Sequence, residues 1–392
     1  MDSVATPSDF AVPAQRDASL TRVIVALIGL ACLPIGIIWD VSHHSTIGRD
    51  TFWTPAHILI QLGGIVPAML FTALAFKMTF FSTAADRNAS VGIWGARAPI
   101  GVWVTIWGCL AMVSSAPFDD WWHNTYGLDV KIISPPHTVL GIGMLAVGMG
   151  VLLFVFSSQN QAAVEEQKYR GIFCAIAVGI MLALEADFTT EYSWPNLQHT
   201  GHFYRVLCIP FPFLLVLAAR AARIRGAATI AAASYMILYI AMILVLPLFP
   251  AHPKLGPIFH PVDHMVPPAF PLLLIVPGVA IDLIEWKFGA EGKVRLNDWA
   301  LAVIFAGWFL VIAFPVQWNF SRFLLSDWAD NRFFARAGHW PYFTHPGDWM
   351  NTYWTKYHDP VTIFSLMFAF LCACVSIRLS LWLGNYLLRL KR

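Results

Sequence analysis

Ten apolar stretches divide this 392-residue chain, at roughly 21–39, 55–81, 97–117, 136–157, 169–187, 203–220, 226–249, 265–286, 297–316 and 360–388. Most reach the length of about 20 residues that carries a helix across a bilayer core. Lipid offers no water to satisfy peptide groups, so each run must bond within itself, which leaves the α-helix as its form. The reading is an all-α, polytopic integral membrane protein of about ten transmembrane helices arranged as hairpins. Only 12% of residues are charged, about half the usual share of a soluble chain. The net charge of +2 supplies no basic surface, so no nucleic-acid partner is expected. Prolines 34, 67, 210, 212, 247, 271 and 277 fall inside the runs and predict kinks.

The first 20 residues are polar and lack the basic start and cleavage site of a signal peptide, so they read as a cytoplasmic tail before a retained helix. All six cysteines lie inside apolar runs and none forms a CxxC pair, which points to buried free thiols. An even number of spans puts both termini on one side. Seventeen of the 25 Lys and Arg residues then lie on the terminal side and eight on the other. The positive-inside rule makes the terminal side cytoplasmic, in a bacterial-type inner membrane, with the opposite connections facing the periplasm.

All thirteen histidines fall in or beside those five outer connections. A general preference of histidine for loops does not explain why the inner ones have none. In the first hairpin, Asp40 ends the helix and His44 follows four residues on. If the helix continues one more turn, the two share a face. Thr54 then suits the N-cap and Pro55 the first helical position of the next helix, placing His57 third. The second hairpin repeats the arrangement with Asp119, His123, Ser134, Pro135 and His137. The spacings are Asp-x3-His-x12-His and Asp-x3-His-x13-His. Two imidazoles and one carboxylate form a sound metal set with coordination positions left open. A helix N-terminus disfavours the imidazolium, keeping the ring able to bind a metal.

The third hairpin keeps the step as Asp187-x3-Glu191, with His199 and His202 after it, a weaker possible third site. In the fourth, His252, His260, Asp263 and His264 read as interfacial or supporting residues. The division expected is a tail (1–20), a four-helix metal-binding unit (21–160), and a six-helix remainder (161–392) holding a long aromatic outer loop at 318–358. That loop suits the headgroup layer, a lid or a docking surface alike.

The stretch Asp40, His44, Arg49-Asp50-Thr51, Thr54-Pro55-Ala56-His57 closely resembles the metal motif in the C subunit of particulate methane and ammonia monooxygenases, the copper membrane monooxygenases. The second unit resembles that subunit's other ligand set, Asn-x3-His-x13-His, with Asp119 in place of the Asn. The likeness covers residues 20–160 only. It implies copper as cofactor, O₂ activation, a small lipophilic substrate reaching the site from the bilayer, and other membrane subunits as partners. It also implies that Arg49 and Asp50 orient the ligands, although a plain surface ion pair fits them equally. Nothing like the family's cupredoxin-like copper domain occurs here. From residue types alone the metal stays open, since non-haem iron takes the same set and zinc is compatible with it. Two other functions fit the same histidines: a membrane protein for metal transport or delivery, and a haem electron-transfer subunit with His57 and His137 as axial ligands.

Overall fold

A computed structural model describes residues 13–48, 51, 53–88, 90–127, 134–289, 292, 294, 296–336, 340–345 and 359–391. The elements in chain order are α1 (Pro13–Thr46), α2 (Pro55–Phe80), α3 (Ala84–Asn88), β1 (Val91–Ile93), β2 (Ala96–Ala98), α4 (Ile100–Tyr126), α5 (Pro135–Gln161), α6 (Val164–Phe188), α7 (Thr190–Ser193), α8 (Gly201–Leu207), α9 (Pro210–Ala221), α10 (Ala227–Val245), α11 (Ile275–Phe288), α12 (Asp298–Leu324) and α13 (Ile363–Leu387). The described residues are mostly helical, and the one sheet among them is a small antiparallel hairpin, β1–β2. Nine of the described helical stretches are long and apolar enough to cross a membrane, with α8 and α9 counting as one.

The expected eighth span, 265–286, differs from a continuous helix. Residues 265–274 are non-helical, and the helix starts only at Ile275. Pro267, Pro268 and Pro271 carry no N–H, and each would clash with a preceding helical turn. The non-helical stretch is nevertheless buried at Met265, Val266, Phe270, Leu272 and Leu274. Its peptide groups find partners in the surrounding protein. The Thr46 hydroxyl oxygen accepts the Val266 N–H at 2.8 Å, and the Tyr235 hydroxyl accepts the Leu272 N–H at 3.0 Å. Irregular backbone at this depth is tolerated where protein encloses it.

The described chain forms two compact units. One comprises Met1–Leu30, Gly63–Gln161 and Lys391–Arg392; the other comprises Ala31–Leu62 and Ala162–Leu390. In the first, α4 and α5 pack backbone to backbone. A Cβ added at Gly108 would lie 2.7 Å from the Val147 nitrogen, and one at Gly143 2.8 Å from the Gly108 oxygen. Small residues permit that approach, which is how helices associate where no hydrophobic drive exists between them.

In the second unit, the end of α1 is held by connections far along the chain. The Ser45 carbonyl accepts the Tyr342 N–H at 3.0 Å, and the Ile47 carbonyl accepts the Lys254 N–H at 2.9 Å. The Tyr342 carbonyl in turn accepts the N–H groups of Phe259 (2.9 Å) and His260 (2.8 Å). Helix-end carbonyls that would otherwise need water are thus satisfied by the 250–265 and 340–345 segments. Gly48 ends the helix at φ +99°, where a side chain would be strained and would run into the Tyr342 hydroxyl.

Candidate metal centre

Helix α1 continues to Thr46, so Asp40 and His44 stand one turn apart on the same face. His57 is the third residue of α2. Close helix contact sets their spacing. A Cβ added at Gly36 would lie 2.9 Å from the Ile60 nitrogen and 3.3 Å from the Ala56 oxygen, so only glycine lets α1 and α2 meet one turn before the ligands.

The three side chains converge. His57 Nε2 lies 3.0 Å from Asp40 Oδ1, and His44 Nε2 lies 3.8 Å from Asp40 Oδ2. One ligand atom from each residue falls within 4.8 Å of the others, and no further group of three such residues does so among the described residues. The far nitrogens explain the aim. His44 Nδ1 is 3.1 Å from the Gly48 carbonyl oxygen, and His57 Nδ1 is 3.1 Å from the Thr51 carbonyl oxygen. A carbonyl only accepts, so each ring, when neutral, carries its proton on Nδ1 and presents a lone pair at Nε2. Asp40 Oδ1 is buried with no hydrogen-bond partner. Three electron-pair donors therefore face one small space. A single proton can settle one pair of them; a metal ion settles all three. The donor set fits a metal.

Access is graded. The Asp40 side chain is 20% exposed, His57 30% and His44 49%, which leaves the His44 edge as an entry path. Thr54 stands at the N-cap position, its carbonyl accepting the Ile58 N–H at 3.1 Å, and its hydroxyl also serves the loop. It donates to the Thr51 carbonyl at 2.7 Å and accepts the Thr51 N–H at 3.0 Å, stiffening the carbonyl that holds His57. Arg49 and Asp50 lie outside the described residues.

In the second hairpin, α4 runs to Tyr126, which keeps Asp119 and His123 on one helix. His137 Nε2 lies 3.5 Å from Asp119 Oδ1. The Ser134 hydroxyl accepts the His137 N–H at 3.4 Å, the cap its position suggested. The His123 side chain lies outside the described residues.

No three of Asp187, Glu191, His199 and His202 bring ligand atoms within 4.8 Å of one another. Asp187 accepts a hydrogen bond from the Tyr239 hydroxyl at 2.6 Å. Glu191 is exposed on α7. His202 packs edge-on against Tyr192 and stands 3.4 Å from an Arg205 nitrogen. His199 lies flat on Trp318, rings 3.6 Å apart, with Nε2 2.9 Å from the Trp318 carbonyl oxygen. In the 250–265 connection, His264 bonds its neighbour Asp263, and His252 Nδ1 faces the Val262 carbonyl.

Burial lowers the pKa of His199, with the nearby Arg322 acting in the same direction, while the Trp318 carbonyl opposes them. The unfolded chain takes up a proton near pH 6.5 that the folded chain resists. Stability from this residue is therefore complete above that pH and lost as pH falls below it. Thermal unfolding of the purified protein is expected to move to lower temperature between pH 7.5 and 5.5. His199→Gln should shrink that movement; an identical movement in both proteins would assign it elsewhere.

Sequence reasoning missed Gly48, Thr51 and Gly36. The first had a readable signal, a glycine just past a helix end; the other two act through backbone atoms that carry none.

These features define a class: a helical protein whose apolar helices suit a membrane, with an aspartate and two histidines gathered at a helix-hairpin end. No family model, curated protein or solved structure matches the chain.

Proposed function

We propose that this protein is a copper-dependent membrane monooxygenase-like protein, similar in its chemistry to the C subunit its motifs resemble. Asp40, His44 and His57 would hold the ion, and the substrate would be small and lipophilic. The observation that carries this reading is the convergence of two imidazole rings on the half-buried Asp40 carboxylate, with both rings held by backbone carbonyls. Copper bound there would supply the electron chemistry that activates O₂. The chain's own part is to fix two neutral imidazoles, to place one negative charge against the ion, and to leave the His44 side open.

Asp119, His123 and His137 would form a second centre, more anionic than its counterpart in the family. With the 265–286 segment counted as a tenth crossing, the Lys and Arg distribution supports cytoplasmic termini with both centres toward the periplasmic side of a bacterial-type inner membrane. Other membrane subunits would complete the assembly. Copper rather than iron or zinc rests on the resemblance to the copper membrane monooxygenases.

Metal analysis and electron paramagnetic resonance of the purified protein test this. Copper near one ion per centre is expected, with nitrogen hyperfine structure from imidazole. Stoichiometric iron or zinc with no copper would overturn the proposal.

A further inference from the structure

A second functional candidate lies in the same unit, on a different face of α1 from Asp40 and His44. A partly open cavity of about 60 Å³ is lined by α1 (Ile37, Val41, Ser42), the end of α6 (Asp187), α10 (Tyr235, Tyr239) and the 266–272 stretch. One water needs roughly 10–15 Å³ on this measure, so the space takes about four non-hydrogen atoms.

Its walls are mostly apolar, with one carboxyl group. The Tyr239 hydroxyl donates to Asp187 Oδ1 at 2.6 Å. Asp187 Oδ2 is buried and has no hydrogen-bond partner, and the same holds for Ser42 Oγ on the opposite wall. No Lys, Arg or His lines the cavity among the described residues. A carboxylate taken out of water without a cation is expensive, and in a helix suited to a membrane it marks a functional site by default. The missing positive charge has room to enter as a ligand. Tyr235, Tyr239, Trp194 and Phe270 on the walls offer ring faces that favour a cation. The lining also carries the Ser42, Ser45, Thr190 and Ser193 hydroxyls, so an alkali ion, which needs several oxygen ligands, is the competing occupant, while the ring faces and the Ile37, Val41, Val266 and Leu272 side chains favour a cation with an alkyl part.

We propose that this cavity binds a small primary alkylammonium ion, with its ammonium group against Asp187 and Ser42 and its alkyl part against α1 and the proline-rich stretch. n-Propylammonium, at four non-hydrogen atoms, matches the volume. Tyr239 is a positioning residue that fixes the carboxylate.

The test is isothermal titration of the full-length protein in nanodiscs at pH 7.5, after metal removal, with n-propylammonium chloride. Saturable binding is expected, at least tenfold weaker in Asp187→Asn and in Ala269→Leu, which fills the cavity without altering the acid. n-Propanol, of the same shape but neutral, should compete at least tenfold less well, and so should Na⁺. Absence of binding in the wild type would overturn the proposal. So would equal competition by n-propanol or Na⁺, or unchanged affinity in a folded Ala269→Leu. Because the metal is absent throughout, the result is independent of the proposed oxidase chemistry.

Discussion

His57→Ala and His44→Ala are each expected to lose the ion bound at the first hairpin, lowering its affinity by more than about 100-fold. That figure exceeds the roughly 10–100-fold typical of altering a residue that merely supports a ligand, because here a donor atom itself is removed. Asp40→Asn should behave similarly. It preserves shape but removes the charge that stands 3.0 Å from His57 Nε2 and 3.8 Å from His44 Nε2. The geometry makes a further distinction. Removing His57 leaves Asp40 and His44 on one helix, still a turn apart, while removing Asp40 leaves two neutral rings with nothing to draw a cation between them. Metal retained by Asp119, His123 and His137 must be accounted for, so each variant belongs beside the same change in a His137→Ala background. His252→Ala, whose ring faces the Val262 carbonyl, serves as the control and should keep its metal. Unchanged stoichiometry and affinity in both His44→Ala and His57→Ala would remove the first centre from the proposal.

The second large effect is on stability. Arg220 is 7% exposed and reaches three helices from α9. It bonds Glu285 of α11 at 2.9 Å, Asn385 of α13 at 2.9 Å, and Asp298 of α12 at 3.5 Å. Asn385 also donates to Asp298 at 3.0 Å, closing the network. Gly384 makes the space, since a Cβ there would lie 2.7 Å from Arg220 Cγ. Arg220→Ala would take the guanidinium away from the Glu285 and Asp298 carboxylates, and breaking a buried pair this way costs about 3–5 kcal/mol. Arg220→Lys should fall between, because an ammonium cannot match the guanidinium fork. Gly384→Ala should also destabilise by displacing the arginine. Denaturation in mixed micelles reads these differences; a change below about 1 kcal/mol in Arg220→Ala would show that the network is well replaced by water.

Much of this was legible in particular residues. The Asp40–His44 step and the Pro55–His57 helix start are local, and local periodicity carries them directly into shared faces and turn positions. The eighth apolar run shows the limit: its hydrophobicity was readable, but Pro267, Pro268 and Pro271 acted together to make a non-helical segment, and that form is tolerable because Tyr235 and Thr46 supply hydrogen bonds. Asp187 and His199 show another limit. Both had the residue type and spacing of ligands, yet one turned to Tyr239 and the other to Trp318. Such choices depend on helices distant in sequence.

By itself the sequence determined that the chain is helical and suited to lipid, because apolar runs of span length have no other way to satisfy their backbone. It also determined which acid and imidazoles stand near each hairpin end. Only the tertiary structure decided that Asp40, His44 and His57 aim at one point. That aim comes from the Gly36 contact, the Gly48 and Thr51 carbonyls, and the hold of Tyr342 and Lys254 on the end of α1. These are backbone approaches and long-range hydrogen bonds, whose geometry exists only once the helices have packed.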